Sequence, residues 1–449
     1  MRSLRGLTPR RVLILAVLAV LQLTALQLTA EVRTLTILHT NDLHSRLSPL
    51  ENHHGGFAYL ATVIRHERRD CVGCLLLNAG DLAQGSPVST IYKGMPVFEL
   101  ANLFGYDAAT LGNHDFDYGW QQARNFVNIA KYPIVTSNVV NAKGETLTPK
   151  PWVILKVNKL RVGIIGAMTD DLHNLSTPAL LGEWHTIPVV ETVRKYAAEL
   201  HDQCDLVIVL GHIDGNEEQA FLNEPGTPVI ISGHIHTGLS EPSTNKAHDH
   251  VMVRVKSYGE ELGRLELKVD TEKKAPVSWT WKKIVIDDEK LVPTKAMADK
   301  VRDWEEKVAY IVDKPLATSN RPISKAELKV MLEDAMKAAT GADFAFMNYG
   351  GVRDTLPKGQ LLVRHVWNIM PFDNLIVYGT FKGRDLPAVV TAGHTIDPNK
   401  DYKLAVSDFT AANQSSSDNL RTTGLQFPGQ AGVLRDALTD LIRKRKVIE

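Results

Sequence analysis

Cysteine is nearly absent: three in 449 residues are too few for a disulfide framework or for a zinc site built on paired CxxC motifs. An excess of one charge sign is absent too. Lys plus Arg and Asp plus Glu stand at 51 each, and this balance gives no support for a nucleic-acid polymer as partner. The one basic run, Arg443 to Lys446, is short and fits a solvated helix end. Apolar residues, in contrast, make up 44% of the chain. At this length they are ample for two or three conventional cores.

The N-terminus carries a basic stretch, an apolar run from Val12 to about Ala30 and small residues before Glu31. That is the layout of an export signal over residues 1–30. Cleavage is expected to leave a mature chain with no stable membrane insertion, in the periplasm or at the cell surface. An uncleaved anchor is the competing expectation, weakened by Gln22, Thr24, Gln27 and Thr29. Arg10-Arg11 leaves the twin-arginine route open. No cysteine lies near the cleavage point to carry a lipid. In an exported chain Cys71 and Cys74 are expected to form a local structural disulfide, with Cys204 left odd.

From residue 34, β-branched runs such as "TLTILHTND", "CLLLNAGD", "RVGIIGAM", "DLVIVLGH" and "PVIISGH" alternate with helical patterns such as "FAYLATVIRHERR" and "VETVRKYAAELHDQ". They predict buried strands of a layered α/β sheet. Almost every run ends in Asp, Asn or His, and the carboxyl edge of such sheets is where sites assemble. The inventory is Asp42, His44, Asp81, Asn113, His114, His212, His234 and His236. Oxygen and nitrogen donors in this ratio suit zinc, manganese or iron, and seven ligands exceed the four of one tetrahedral ion. Two divalent ions are implied. Their net positive charge would attract a phosphate ester, and a two-metal site is suited to phosphoryl transfer. His39, His53, His54 and His66 are expected to be structural or solvated, and Asp214, Glu217 and Glu218 to favour the start of a helix.

Together "ILHTNDLH", "NAGDLAQGS", "LGNHDFDYG", "VIVLGHID" and "ISGHIHTG" resemble the metallophosphoesterase half of the 5'-nucleotidase family, and "MNYGGVRD" and "MPFDN" resemble its C-terminal domain. The resemblance spans roughly residues 34 to 415. It implies a four-layer α/β-β/α calcineurin-like metallophosphoesterase domain over residues 31–288. A linker helix over 289–310 and a smaller α+β substrate domain over 311–449 would follow. It also implies that Asp42, His44 and His236 hold one metal and Asn113, His212 and His234 the other, with Asp81 bridging. Many nucleotidases have Asn or Gln at the position of His236. The His found there is usual in the wider metallophosphoesterases and bears on metal preference.

Within "LGNHDFDYG" a helical turn after His114 would make positions three apart neighbours, so that Asp117 orients the His114 imidazole. The family pattern assigns the same dyad, which would stabilise the phosphoryl oxygens or protonate the leaving oxygen. Asp115 is expected to be a surface or capping residue.

The substrate half is less well specified. The resemblance assigns Arg321, Asn348, Arg353 and Phe409 to substrate and places a hinge at the linker helix. Family nucleotidases stack the base between two Phe rings. Phe409 matches the later one, whereas the segment expected to carry the earlier one is missing. "QSSSDN" replaces the family's Gly-Gly-Asp-Gly stretch, which leaves open whether Asp418 stands in for its ribose-binding Asp. The expected activity is hydrolysis of nucleoside 5'-monophosphates or related nucleotides. The alternatives are cyclic nucleotides, UDP-sugars or a non-nucleotide ester, and, from another class, a noncatalytic metal-binding surface protein.

Overall fold

The computed structural model describes residues 31–412, 420 and 424–449. The expected export signal and Asp418 therefore lie outside the described residues. Seven strands frame the first domain: β1 (Val32–Thr40), β2 (Cys74–Asn78), β3 (Leu160–Met168), β4 (Leu206–His212), β5 (Val229–Gly233), β6 (Glu261–Asp270) and β7 (Ala275–Val285). One sheet runs β7-β6-β1-β2 and ends on Ala108–Ala109. The other runs from Ser243–Thr244 through Val251–Val253, β5, β4 and β3 to Trp152–Val157. β1 and β2 are parallel, as are β3, β4 and β5.

Period-two alternation makes these strands apolar on both faces. Leu35, Ile37, Leu75 and Leu77 point to the same core as Val162, Ile164, Ile208, Leu210 and Ile231, which closes the space between the sheets. Leu38 and Leu76 face the other way, onto Phe57, Leu60, Val63 and Ile64 of α1 (Phe57–Arg69). Ile165, Val207, Val209 and Ile230 pack on Val189, Val193, Ala197 and Leu200 of α2 (Val189–Leu200). Helix, sheet, sheet and helix make the four-layer sandwich of a calcineurin-like metallophosphoesterase.

The connecting helix, α3, covers Lys295–Val312, later than the expected 289–310. Pro293 disfavours helical geometry at Val292, so the chain turns at Thr294 before the helix begins. Met297, Val301, Val308 and Val312 join the cluster around α1, so α3 lies against the outer layer of the first domain. Among the described residues no helix is long and apolar enough to cross a membrane.

The C-terminal part is α+β. Its principal sheet contains β8 (Phe344–Phe346), β9 (Leu375–Lys382), β10 (Asp401–Ser407) and β11 (Gly429–Val433), in the order β8-β10-β9-β11. Against it lie α4 (Lys325–Thr340), α5 (Val363–Ile369) and α6 (Leu434–Arg445). α4 begins with a reciprocal Ser324–Glu327 capping box and stops at Gly341, whose φ of 64° suits glycine. Arg364 of α5 binds Asp313 at 2.6 Å and also Glu305, tying this part to α3.

Cys71 forms a disulfide with Cys74, the first residue of β2, and Cys204 is free and buried. His53 and His66 are exposed. Asp214 caps the helix Gly215–Phe221 with Glu217 in a reciprocal box.

Candidate metal centre and active site

The carboxyl ends of β1, β2, β4 and β5 meet on one edge. β1 leads into Asp42 and His44, β2 into Asp81, β4 ends on His212, and β5 leads into His234 and His236; the Ala108–Ala109 strand delivers Asn113. The backbone there is forced. Asp42, His44, Asp81 and His234 all have φ between 45° and 79°, a region that costs a non-glycine residue on the order of 1 to 3 kcal/mol. Gly112 allows the closest approach, because a Cβ at that position would stand 2.1 Å from Asp81 Oδ1.

Asp42, His44, Asp81 and His236 offer ligand atoms within 4.8 Å of one another. His44 Nε2 lies 2.9 Å from His236 Nε2, and His236 Nε2 lies 3.8 Å from Asp42 Oδ1. A second group adjoins it: Asn113 Oδ1 sits 3.0 Å from His212 Nε2 and 3.1 Å from His234 Nδ1. Asp81 Oδ2 stands between the two groups, 3.6 Å from His44 Nε2 and 3.2 Å from His212 Nε2. That oxygen is buried and makes no hydrogen bond.

The donor chemistry fits cations. His212 Nδ1 donates to the Ala79 carbonyl at 2.9 Å and His44 Nδ1 to that of Gln84 at 3.3 Å. In the neutral rings both Nε2 lone pairs then point into the cluster, as backbone-anchored metal ligands do. In that neutral form His212 Nε2 and Asn113 Oδ1 would face each other as two acceptors. Burial opposes charge on His212, yet the Asp81 carboxylate outweighs it and pushes the imidazole up to about 9. The same field that would hold a proton there favours a metal ion. Burial holds His234 down to about 3 and His236 to about 2, so both rings keep free lone pairs.

"LGNHDFDYG" folds as the spacing predicts. Residues Asn113–Phe116 form a 3₁₀ turn, and His114 Nδ1 donates to Asp117 Oδ2 at 2.8 Å. The His114 amide donates to Asp81 Oδ1 at 2.9 Å, fixing the dyad to the same carboxylate that separates the two groups. Burial works against protonation of His114, but Asp117 and Asp81 prevail and its pKa is raised. Asp115 is no surface residue. It is buried and caps the turn internally, accepting from the Gly112 and Ala83 amides.

From the C-terminal domain Arg353 reaches this edge and donates to His44 Nε2 at 3.1 Å. Asn348 precedes the turn Tyr349–Gly351, two residues from the strand that leads toward Arg353. Phe409 is partly exposed at the start of the helix that follows β10. Arg321 is elsewhere engaged: its guanidinium pairs with Glu327 at 2.7 Å and bonds the Pro322 carbonyl.

Phe372, inside "MPFDN", lies with its ring centroid 5.8 Å from that of His114, and the Arg353 guanidinium lies 5.9 Å from it. An aromatic earlier than Phe409 therefore does stand at this edge, although the segment expected to carry one is missing; the signal was the motif itself. Tyr258, which packs on His44 and His236 at 5.5 and 5.6 Å, and Arg46 are further residues that the sequence patterns did not single out. Arg46 stands two residues after His44, whereas Tyr258 has no local signature.

Paired ligand groups on a four-layer sandwich define a calcineurin-like metallophosphoesterase, and comparison with known proteins agrees. The calcineurin-like phosphoesterase pattern matches residues 35–238, and that of the 5'-nucleotidase C-terminal domain matches residues 307–392. The chain thus carries a calcineurin-like phosphoesterase domain and a 5'-nucleotidase C-terminal domain, is similar to 5'-nucleotidases, and is a metal-dependent phosphoester hydrolase. It is 25% identical to Protein UshA of Escherichia coli over 84% of this chain and 85% of that protein. It is also 25% identical to a 5'-nucleotidase of Vibrio parahaemolyticus over 78% of this chain and 73% of that protein. Its fold resembles that of a 5'-nucleotidase precursor from Thermus thermophilus, with a TM-score of 0.84 and 22% identity over 93% of this chain and 97% of that one.

Proposed function

We propose that the chain is an exported two-metal phosphohydrolase of nucleoside 5'-monophosphates or related nucleotides. The observation that carries this reading is Asp81 Oδ2, buried without a hydrogen bond between two sets of facing donors. Asp42, His44 and His236 would hold one ion, Asn113, His212 and His234 the other, and Asp81 both. Two such ions, zinc, manganese or iron, supply Lewis acidity and an acidified water at neutral pH.

The chain's own residues do the rest. His114, held by Asp117, presents its Nε2 to the phosphoryl group, where it neutralises oxygen charge or delivers a proton to the leaving oxygen. Arg353 pairs with the phosphate through its fork of N–H donors. Phe372 and Phe409 would flank the base, with Asn348 beside the substrate. Arg321 would reach substrate only by leaving Glu327. The basic and apolar layout of residues 1–30 supports export to the periplasm or cell surface.

A second reading keeps the metal site and changes the ester, because "QSSSDN" stands where the family carries Gly-Gly-Asp-Gly. Purified mature protein assayed with Mn²⁺ and with Zn²⁺ separates the two. AMP is expected to exceed nitrophenyl phosphate in kcat/KM. If UDP-glucose, 2',3'-cyclic AMP or a sugar phosphate wins instead, the substrate class is the second one.

A further inference from the structure

We propose that Arg46 and Asp354 form a latch between the two domains that sets Arg353 over the ligand cluster, making Arg46 a positioning residue for hydrolysis. This rests on the function proposed above. Arg46 lies on the loop after β1, and Asp354 directly follows Arg353 in the C-terminal domain. Their side chains meet across 308 residues of sequence, Nη1 donating to Oδ2 at 2.8 Å. The pair is largely shielded, with side-chain exposures of 6% and 25%. A further charged contact along this seam, Lys93 to Asp373 at 3.2 Å, is 54% and 50% exposed, where solvent screening leaves little net attraction.

Arg46 rests on a shelf made from the site itself. Its guanidinium lies 5.1 Å from the Tyr258 ring centroid, and that ring packs on His44 and His236. The Tyr258 amide donates to the Asp42 carbonyl at 2.7 Å, and its φ of 63° is one that a bulky residue rarely adopts. On the far side, Asp354 Oδ1 accepts from the Thr355 amide at 2.8 Å, and the Arg353 amide donates to the Ile369 carbonyl at 2.9 Å. Contacts therefore run from His44 through Tyr258, Arg46 and Asp354 to Arg353, whose guanidinium lies 3.1 Å from His44 Nε2.

Opening the domains must break the Arg46–Asp354 pair and withdraw Arg353 from the cluster at the same time. Loss of one partner leaves the other charge shielded and unpaired, which disfavours the closed arrangement. Arg353 then loses its fixed approach to an incoming phosphate although its own side chain is unchanged.

The test compares wild type, Arg46→Gln, Asp354→Asn, the double variant and Arg46→Lys on nitrophenyl phosphate with Mn²⁺, recording KM, kcat, bound metal and melting temperature. Each single loss is expected to raise KM about tenfold or more while kcat changes much less. The double variant should be no worse than the poorer single, because both remove one interaction. Arg46→Lys should recover part of the loss, with bound metal unchanged throughout. Unchanged KM in the singles, or a double variant whose effect is the product of the two, overturns the latch. If wild type hydrolyses no phosphate ester, the functional reading fails instead, and small-angle X-ray scattering in inorganic phosphate decides the latch. Asp354→Asn should then show a larger radius of gyration than wild type, and identical profiles reject it.

Discussion

The His114 imidazole donates to Asp117 at 2.8 Å while its own backbone amide donates to Asp81 at 2.9 Å. One residue thus joins the proposed proton-handling pair to the carboxylate at the centre of the proposed ligand cluster. His114→Ala should retain bound metal, since the ring touches none of the seven proposed ligand atoms through a hydrogen bond. Turnover should fall by roughly 10² to 10⁴, the usual contribution of a positioned acid or base. Asp117→Asn should lose about 10- to 100-fold, as removal of an orienting partner does. Metal analysis beside steady-state kinetics checks both; loss of metal in His114→Ala would show that the ring is a ligand.

Asp81 is expected to govern metal binding for the whole site. Saturating Mn²⁺ or Zn²⁺ should raise the melting temperature of metal-stripped protein, by the equivalent of about 3 kcal/mol at a hundredfold excess over Kd. In Asp81→Asn most of that increase should vanish, because one carboxylate serves both donor groups. Gly112→Ala should behave similarly, since the new Cβ would collide with Asp81 Oδ1. Calorimetric titration of the two variants tells metal loss apart from unfolding.

Much of this edge could be read from the chain because parallel strands place their carboxyl ends together, so the candidate ligands Asp42, Asp81, His212 and His234 were expected to lie close to one another once the strands were recognised. The His114–Asp117 pairing was also legible, since a turn fixes residues three apart. Arg46 and Tyr258 were not. They come from loops 212 residues apart in sequence, and the positive φ at Tyr258 is a backbone feature that no sequence pattern marks. The seating of α3 was hidden for a related reason: periodicity shows that a helix has an apolar stripe, not which domain covers it.

Asp115 supports the loop from within. Its carboxylate accepts from two buried amides, those of Gly112 at 2.9 Å and Ala83 at 3.0 Å. Burial, reinforced by the Asp81 charge, pushes it up to about 7. Asp115→Ala orphans both amides and should cost about 2 to 4 kcal/mol in urea unfolding. Asp115→Asn retains one acceptor and should cost less. Equal stability of wild type and Asp115→Ala would mean that water replaces the carboxylate.

His39 gives a pH dependence that can be isolated from the metal site. Its ring is fully buried in β1, neither nitrogen has a hydrogen-bond partner, and it stacks on Trp281 at 5.3 Å opposite Gly263. A Cβ on Gly263 would lie 2.1 Å from the ring, so glycine opens the space it fills. Burial pulls the imidazole down to about 3. The unfolded chain, titrating near 6.5, then binds a proton that the folded chain refuses. Stability is therefore complete above about pH 6.5 and falls as the pH drops toward 3. Between about pH 7 and pH 5 this one ring should remove about 2 kcal/mol from the metal-loaded protein. His39→Leu should lose that much less stability over the same interval, measured by urea unfolding at each pH. Parallel losses in the two proteins would show that His39 is protonated without penalty in the folded state.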